Sequence, residues 1–305
     1  MANYQGCGSQ LGKEDLKQKM LELEQSGEYV AEEKLDGQWA EVKIEAGKVV
    51  SITSRSDKSK PYPQLLEYKF PEWLNGSLVG ELSYGSSNSR LQKKIAIFYD
   101  FLELKVGDKI FSSRVLDVDQ RRKVLEELLK DLNGGVELVE RRESKFWEFY
   151  QEVLKGHGEG LVIKKRRGPE TFYQPETRSD HWIKVKKGVE VDMVVMGTVL
   201  RDPEKMSELT KRKGLQNAIE HIICGQYRNG VLVEETNVGS MTEQVRIWFT
   251  EHQKEAIGKV VTIIGFEQFE SGAIRHCSLK MNDDGSFYRD DMKPIDCQFG
   301  KIKII

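Results

Sequence analysis

Cysteine is scarce and dispersed in this sequence. Only Cys7, Cys224, Cys277 and Cys297 occur, with no Cys-x-x-Cys pair. That excludes a disulfide scaffold or a zinc module and makes a reducing cytoplasm the expected setting. Proline is sparse as well: 7 Pro in 305 residues, beside 38% hydrophobic and 31% charged residues, argues against a largely disordered chain. No run reaches the roughly 18 apolar residues of a membrane span, so no membrane partner is expected. The opening Met1-Ala-Asn-Tyr-Gln-Gly has neither the basic start nor the apolar stretch of a secretory signal. Net charge is nearly absent too, at −2 from 47 Lys+Arg and 49 Asp+Glu, which alone argues against a nucleic-acid partner.

The distribution of charge says more than its sum. Between Gly160 and Glu190 stand Lys164, Lys165, Arg166, Arg167, Arg178, Lys184, Lys186 and Lys187 against Glu170, Glu176, Asp180 and Glu190, and 8 − 4 leaves +4. Such a cluster is suited to facing phosphates, although a solvated basic surface is the commoner origin of a charge run.

At 305 residues the chain has room for two ordinary domains. Residues 1–27 read as a weakly helical lead-in carrying Leu16, Met20, Leu21 and Leu23. Ala40–Glu45 alternates, Ala46-Gly47-Lys48 turns and Val49–Thr53 returns, which is a hairpin pattern. Ser77–Gly80, Ile95–Tyr99, Val136–Val139 and Leu161–Ile163 read as strands, whereas Gln120–Lys130 and Ser144–Leu154 carry helical spacing, the latter behind a Ser144 cap. This predicts an α+β domain over residues 1–187. Beyond Gly188 the texture turns β-rich, with Val191–Met196, Val231–Val233 and Lys259–Gly265 as strands and Asn229-Gly230 as a hairpin turn. With helices expected at Glu204–Ile223 and Thr242–Ile257, residues 188–305 predict a small β-barrel module.

Chemistry concentrates at Glu32-Glu33-Lys34-Leu35-Asp36-Gly37, ahead of a predicted strand. An amine attacks only when neutral, and a free lysine near pKa ~10.4 is almost fully protonated at pH 7; nearby cations and metals favour the neutral form. Alone, Lys-x-Asp-Gly is most often a turn. Five further elements downstream, in a fixed order, give it weight: Ser54-Arg55, Val79-Gly80-Glu81-Leu82, Phe98-Tyr99-Asp100-Phe101-Leu102, Glu159-Gly160-Leu161-Val162 and Trp182-Ile183-Lys184-Val185-Lys186. In the last element, period-2 geometry puts Lys184 and Lys186 on one strand face and Ile183 and Val185 on the other.

This ordered set resembles the covalent nucleotidyltransferases, which comprise ATP-dependent DNA ligases, RNA ligases and capping guanylyltransferases. The passage from Trp182–Lys186 into Asp192–Gly197, and the later Gly258–Thr262, Glu267 and Ser271–His276, resembles the DNA ligases most. The resemblance implies a nucleotidyltransferase domain followed by an OB-fold, and ATP-dependent sealing of 5′-phosphate/3′-hydroxyl nicks in duplex DNA during replication or repair. It implies ATP and Mg²⁺ (or Mn²⁺) as cofactors, and a monomer acting in the cytoplasm, that of a host cell if the source is viral. Lys34 would be the adenylated nucleophile, with Asp36, Lys184 and Lys186 as catalytic companions. Glu32 would read the adenine amino group beside Glu33, Arg55 would bind ribose or phosphate, and Glu81 would hold the ribose. Glu81 and Glu159 would place the metal. Tyr99, or Phe98 on the opposite face, would stack on adenine. A linker near Gly188 would let the OB domain swing. An RNA ligase or a GTP-using capping enzyme would share Lys34, and an OB-fold binding protein with an inert nucleotide domain would show no labelling.

The pattern departs from the family in three places. Trp39 stands where Lys-x-Asp-Gly-x-Arg has arginine, either covering the nucleotide or filling the core. Ser54-Arg55-Ser56-Asp57 replaces Ser-Arg-x-Gly. The C-terminal Arg-x-Asp-Lys element is represented by Arg289-Asp290-Asp291-Met292-Lys293, beyond an insertion around 282–287, with Arg275 as the fallback. Gly156–Gly160 and His276-Cys277 read as structural, as do Trp147, Phe149 and Tyr150.

Overall fold

The computed structural model describes residues 3–12, 15–60, 62–84, 94–130, 135–156, 158–202, 204, 217–282 and 285–304. Contacts divide the chain into two units, Met1–Lys186 and Lys187–Ile305. No helix among the described residues is long and apolar enough to cross a membrane.

The first unit holds two sheets. One runs β1-β11-β10-β2-β9, formed by β1 (Gly6–Gln10), β2 (Tyr29–Lys34), β9 (Arg141–Arg142), β10 (Gly160–Lys165) and β11 (Arg178–Lys186). Only β1 pairs in parallel, with β11. The alternation of these strands separates two environments. Ala31, Leu161, Ile163 and Val185 face a core closed by Met20 of α1 (Leu16–Gln25) and by Phe146, Phe149, Tyr150 and Val153 of α4 (Phe146–Lys155). The intervening residues Glu32, Lys34, Val162, Lys164, Trp182, Lys184 and Lys186 occupy the other face. Helix α4 starts differently from its sequence signature. Its N-cap is Lys145, in the left-handed region at φ 58°, and Ser144 makes no cap. Glu24 at the end of α1 takes that role instead, accepting from the Lys145 and Phe146 amides at 2.8 and 2.9 Å. A carboxylate from a neighbouring helix satisfies the orphan donors and suits the positive helix end.

The second sheet runs β4-β3-β5-β6-β7, from β3 (Gln38–Glu45), β4 (Lys48–Ser54), β5 (Leu74–Tyr84), β6 (Lys94–Val106) and β7 (Lys109–Ser112), with β8 (Val136–Leu138) parallel to β6. Its core packs Val42, Ile44, Leu78, Phe98, Phe101 and Leu104 against Leu65 of α2 (Pro63–Leu66) and Leu125 and Leu129 of α3 (Val118–Leu129). Asp117 and Gln120 close α3 with a capping box. Two side chains are locked beneath it: the Arg121 guanidinium takes both Asp100 oxygens, at 2.8 and 3.1 Å, and both residues are about 2% exposed. The fork also reaches the Leu116 and Thr171 carbonyls, so this buried pair is satisfied on nearly every side.

The second unit is a single antiparallel sheet, β14-β13-β12-β15-β16, in which the long β12 (Val189–Leu200) carries β13 (Ile219–Arg228) on one side and β15 (Val260–Gly265) on the other. β14 (Val231–Val238), β16 (Ser278–Leu279) and β17 (Lys303–Ile304) complete it. The β13–β14 turn is Asn229-Gly230, both at positive φ as a two-residue hairpin turn demands. Two helical expectations are corrected. From Ile219 onward the chain is strand, because Ile222 and Cys224 are paired on both sides and buried, an environment that favours β-branched residues. Residues 205–216 of that expected helix lie outside the described residues. The helix over 242–257 is two helices, α5 (Glu243–Glu251) and α6 (Gln253–Ala256), divided at His252, whose φ of −116° and ψ of 32° leave the helical region. Val245, Phe249 and Ala256 from this pair bury against Val191, Met193, Val195 and Ile263.

Candidate active site

The polar face of the first sheet opens a cavity within the first unit. Glu32, Glu33, Lys34, Glu81 and Tyr99 line it, joined by Lys164, Trp182 and the N-terminal residues Tyr4, Gln5, Gly6 and Cys7. The register explains the convergence. Glu32 lies opposite Val162, which lies opposite Lys184, while Lys34 lies opposite Gly160, which lies opposite Lys186. Lys34 and Lys186 thus flank the start of β10, where Gly160 sits at φ 145° with no room for a side chain. A Cβ there would stand 1.9 Å from the Val185 carbonyl oxygen.

Glu159, immediately before β10, ties the two lysines together. Lys34 Nζ donates to its Oε2 and Lys186 Nζ to its Oε1, each at 2.6 Å. One carboxylate serves two ammonium groups, and the three side chains are between 12% and 36% exposed. Lys184 is on the same face of β11, with Gln10 of β1 beside it. Glu81 enters from β5. The residue is partly accessible, but its Oε2 is sealed from solvent with no hydrogen-bond partner among the described residues. Burial pushes its carboxyl up to about 7; the Lys34 charge acts in the opposite sense, with smaller raising contributions from Glu159 and Asp36 and a lowering one from Arg55.

Deeper in the cavity, Glu32 and Lys164 form a buried pair at 2.5 Å, 5% and 3% exposed. The Lys164 ammonium lies over the Trp182 ring at 4.2 Å and the Tyr99 ring at 5.1 Å, a cationic group held between aromatic faces. Burial also pushes the Tyr99 hydroxyl well up. Glu33 also lines the cavity, and its carboxylate reaches toward the loop at Gly158. Phe98, the alternative stacking ring, is fully buried in the core of the second sheet. Alternation places only Tyr99 on the cavity side.

The departures in the sequence acquire physical reasons. Trp39 is 6% exposed and packs on Val79, with the Tyr4 ring edge-on at 5.6 Å, so it fills core. Arg55 is exposed and stacks on the same Tyr4 ring, 4.8 Å from its centroid. Asp57 stands at φ 59° in the Ser54–Lys58 turn, the left-handed conformation for which glycine is usual and aspartate is tolerated. Asp36 follows β2 and is half-buried. Arg289 belongs to the second unit, clamped between Asp192 at 3.2 Å and Asp291 at 2.8 Å. His157 and residues 283 and 284 lie outside the described residues, and Cys277 hydrogen-bonds within the second unit to the Asn237 carbonyl. Among the described residues no group of three or more potential metal ligands forms.

Sequence reasoning missed the role of β1 and the wall residues Lys164 and Trp182. Gly6-Cys-Gly-Ser-Gln10 has no apolar alternation and borrows its order from β11, through amides such as Gly6 N–H to the Thr177 carbonyl at 3.0 Å. Trp182 did carry a signal: it is two residues along the strand from Lys184, already assigned to that face.

A two-sheet α+β unit with a lysine at the strand end, followed by a separate antiparallel β unit, defines the architecture of a nucleotidyltransferase domain joined to an OB-fold. Known proteins agree. Residues 86–186 match the family model of the ATP dependent DNA ligase domain. A DNA ligase of Nitrosopumilus maritimus is 24% identical over 216 residues, covering 60% of this chain and 36% of that protein. DNA ligase 1 of Schizosaccharomyces pombe is 33% identical over 90 residues, covering 26% of this chain and 12% of that protein. The chain therefore spans well under half the length of these curated relatives. A solved Lig E DNA ligase shares the fold with a TM-score of 0.59 at 19% identity, covering 95% of this chain and all of that one. Residues 86–186 thus match an ATP dependent DNA ligase domain, and the fold is shared with a solved Lig E DNA ligase.

Proposed function

We propose that the protein seals nicks in duplex DNA by a covalent lysyl-AMP route, with residues 1–187 as the adenylating domain and 188–305 as the OB-fold domain. The observation that carries this reading is the Lys34–Glu159–Lys186 arrangement at the rim of a cavity walled by Tyr99, Trp182 and the Glu32–Lys164 pair. Lys34 Nζ attacks the α-phosphorus of ATP in line, the bond to the bridging oxygen breaks, and pyrophosphate leaves. The proton lost from Nζ has Glu159 Oε2 as its hydrogen-bonded acceptor. Lys186 and Lys184 neutralise charge on the phosphates, which is the main task of a phosphoryl-transfer site. AMP then passes from Lys34 to the 5′-phosphate of the nick, and the 3′-hydroxyl attacks that end and expels AMP.

Within the cavity, Tyr99 offers a face to adenine and Glu32 accepts from its amino group. Arg55 faces ribose or phosphate. Glu81 fits a Mg²⁺ or Mn²⁺ ion: its buried Oε2 is an unpartnered hard oxygen, whereas both Glu159 oxygens are already taken by lysines. Such an ion would supply charge neutralisation on the phosphates.

Incubation with ATP or GTP labelled at the α-phosphate, followed by denaturing electrophoresis, tests the reading. Label is expected from ATP and absent in Lys34→Ala. Absence of label from both nucleotides, or label from GTP alone, overturns it. Sealing of nicked DNA in preference to nicked RNA is the expected second result.

A further inference from the structure

The basic run of residues 160–190 does not end in one place. Lys164, Lys184 and Lys186 go to the cavity described above, but Arg166 and Arg167 leave β10 and turn toward α3. There they meet Arg141 of β9 around a single carboxylate, Asp119, in the first turn of α3. Arg166 Nε donates to Asp119 Oδ2 at 2.9 Å and Arg167 Nε to the same oxygen at 3.3 Å, while Arg141 Nη2 donates to Oδ1. Burial alone would raise the Asp119 carboxyl, but the hydrogen bonds from Arg141 and Arg166 outweigh it and hold the group below the usual carboxylate range. Asp119 is therefore ionised at any neutral pH and saturated with donors.

These groups line a second cavity, together with Arg122, Lys123, Glu126 and Glu143. Five cations against three carboxylates leave an excess of 5 − 3 = +2 around it. Glu126 and Glu143 are already counted in that balance: they are 54% and 61% exposed and take Arg122 at 2.7 Å and Arg166 at 3.1 Å. The decisive group is Arg141. Its side chain is 94% buried by its 6% exposure, it lines the cavity, and its Nη1 has no hydrogen-bond partner among the described residues. A network built only to brace α3 against β9 and β10 would leave neither a surplus of charge nor a buried guanidinium nitrogen without an acceptor. Guanidinium forks beside an unfilled acceptor position match the oxygens of a phosphate.

We propose that the Arg141–Arg166–Arg167 cluster is a second anion site, which takes a phosphate group through Arg141 Nη1 and the outer faces of Arg166 and Arg167. The inference is independent of the lysyl-AMP reading, because it rests on a different cavity and needs no nucleotide. The shared ligand chemistry is a tetrahedral phosphate, supplied either by the backbone of duplex DNA or by free inorganic phosphate.

Two arms separate those sources, both run on the full chain without nucleotide. In one, inorganic phosphate is titrated and followed by ³¹P line broadening. In the other, a fluorescein-labelled, unnicked 20-base-pair duplex is titrated by anisotropy at several salt concentrations. Arg141→Lys keeps the charge but removes the fork, and the Arg166→Gln/Arg167→Gln double variant strips the outer faces. Arg167→Gln alone, at a side chain 77% exposed, guards against a folding defect in the others. Weakening of about tenfold in the phosphate arm assigns the site to free phosphate. Weakening in the duplex arm, with the slope of log K on log salt shallower by about one, assigns it to the DNA backbone. Unchanged binding in both arms, in variants whose circular dichroism matches the parent, overturns the proposal and leaves the cluster as a hydrated brace.

Discussion

The two units hold their key cations in opposite proportions. At the cavity rim of the first unit, one carboxylate, Glu159, is shared by Lys34 and Lys186. In the second unit, one guanidinium, Arg289, is held by two carboxylates, Asp192 and Asp291. The local chemistry follows from the ratio. Two ammonium groups sharing an acceptor retain donors and net positive charge for an anionic ligand, whereas an arginine between two acids is neutralised by its own surroundings. On the proposed function the ion pairs of the first unit prepare for a ligand; in the second they brace β12 against the segment around Arg289.

The strongest way to break that contrast is Lys186→Ala. If the shared acceptor keeps both lysines available, removing one leaves Lys34 alone with Glu159 and strips charge from the phosphates. The rate of lysyl-nucleotide formation should fall about 100-fold, the scale of losing one positioned electrostatic group, with folding unaltered because the Lys186 side chain is 36% exposed. Quenched-flow labelling with α-labelled ATP measures it. A rate within twofold of the parent would show that the sharing has no chemical consequence.

Glu81→Gln sharpens the comparison from the acidic side. Burial raises the Glu81 carboxyl from 4.5 to about 7. A carboxyl that binds its proton more tightly when folded contributes most stability below its unfolded value, loses it as pH rises from 4.5, and loses no more above about 7. Glutamine keeps the neutral shape at every pH. The variant should therefore match the parent near pH 4 and exceed it at pH 8 by about 1–2 kcal/mol, discounted for the partial exposure of the residue. Urea unfolding at the two pH values decides the matter, and an equal difference at both would refute the buried-charge account.

Much of this arrangement was legible in the residues, for identifiable reasons. Period-2 alternation assigns Lys184 and Lys186 to one face whatever the tertiary context, and Gly160 marks the close passage of β10 and β11. The illegible parts depended on partners distant in sequence. Strand β1 exists because β11 offers it an edge, and α4 begins at Lys145 because Glu24, 121 residues earlier, accepts from its amide. Ile219–Cys224 carried apolar spacing compatible with either element, and its pairing to β12 and β14 decided for strand. Tyr99 and Phe98 were distinguishable only once the sheet had a cavity side and a core side. The Asp119 cluster was half visible, since Arg166 and Arg167 are adjacent in the charge run, but Arg141 enters from another strand.

The smallest expected effects lie in the second unit and grade the clamp on Arg289. Asp192 accepts from Thr262 Oγ1 at 2.6 Å as well as from Arg289 Nη1, and it is 25% exposed. Asp192→Asn should cost about 1 kcal/mol in urea unfolding, the net worth of a charge-assisted hydrogen bond at a partly shielded position. Asp291 makes two parallel hydrogen bonds to the Arg289 fork, at 2.8 and 2.9 Å, yet is 69% exposed. Asp291→Asn should cost less than Asp192→Asn, and its effect should vanish in about 0.5 M salt, because the solvent-facing half of the clamp is screened at that ionic strength while the half over Thr262 is not. Should the two variants cost the same and respond alike to salt, Asp192 and Asp291 would be equivalent surface acids. Arg289 would then be no more restrained than the lysines that share Glu159.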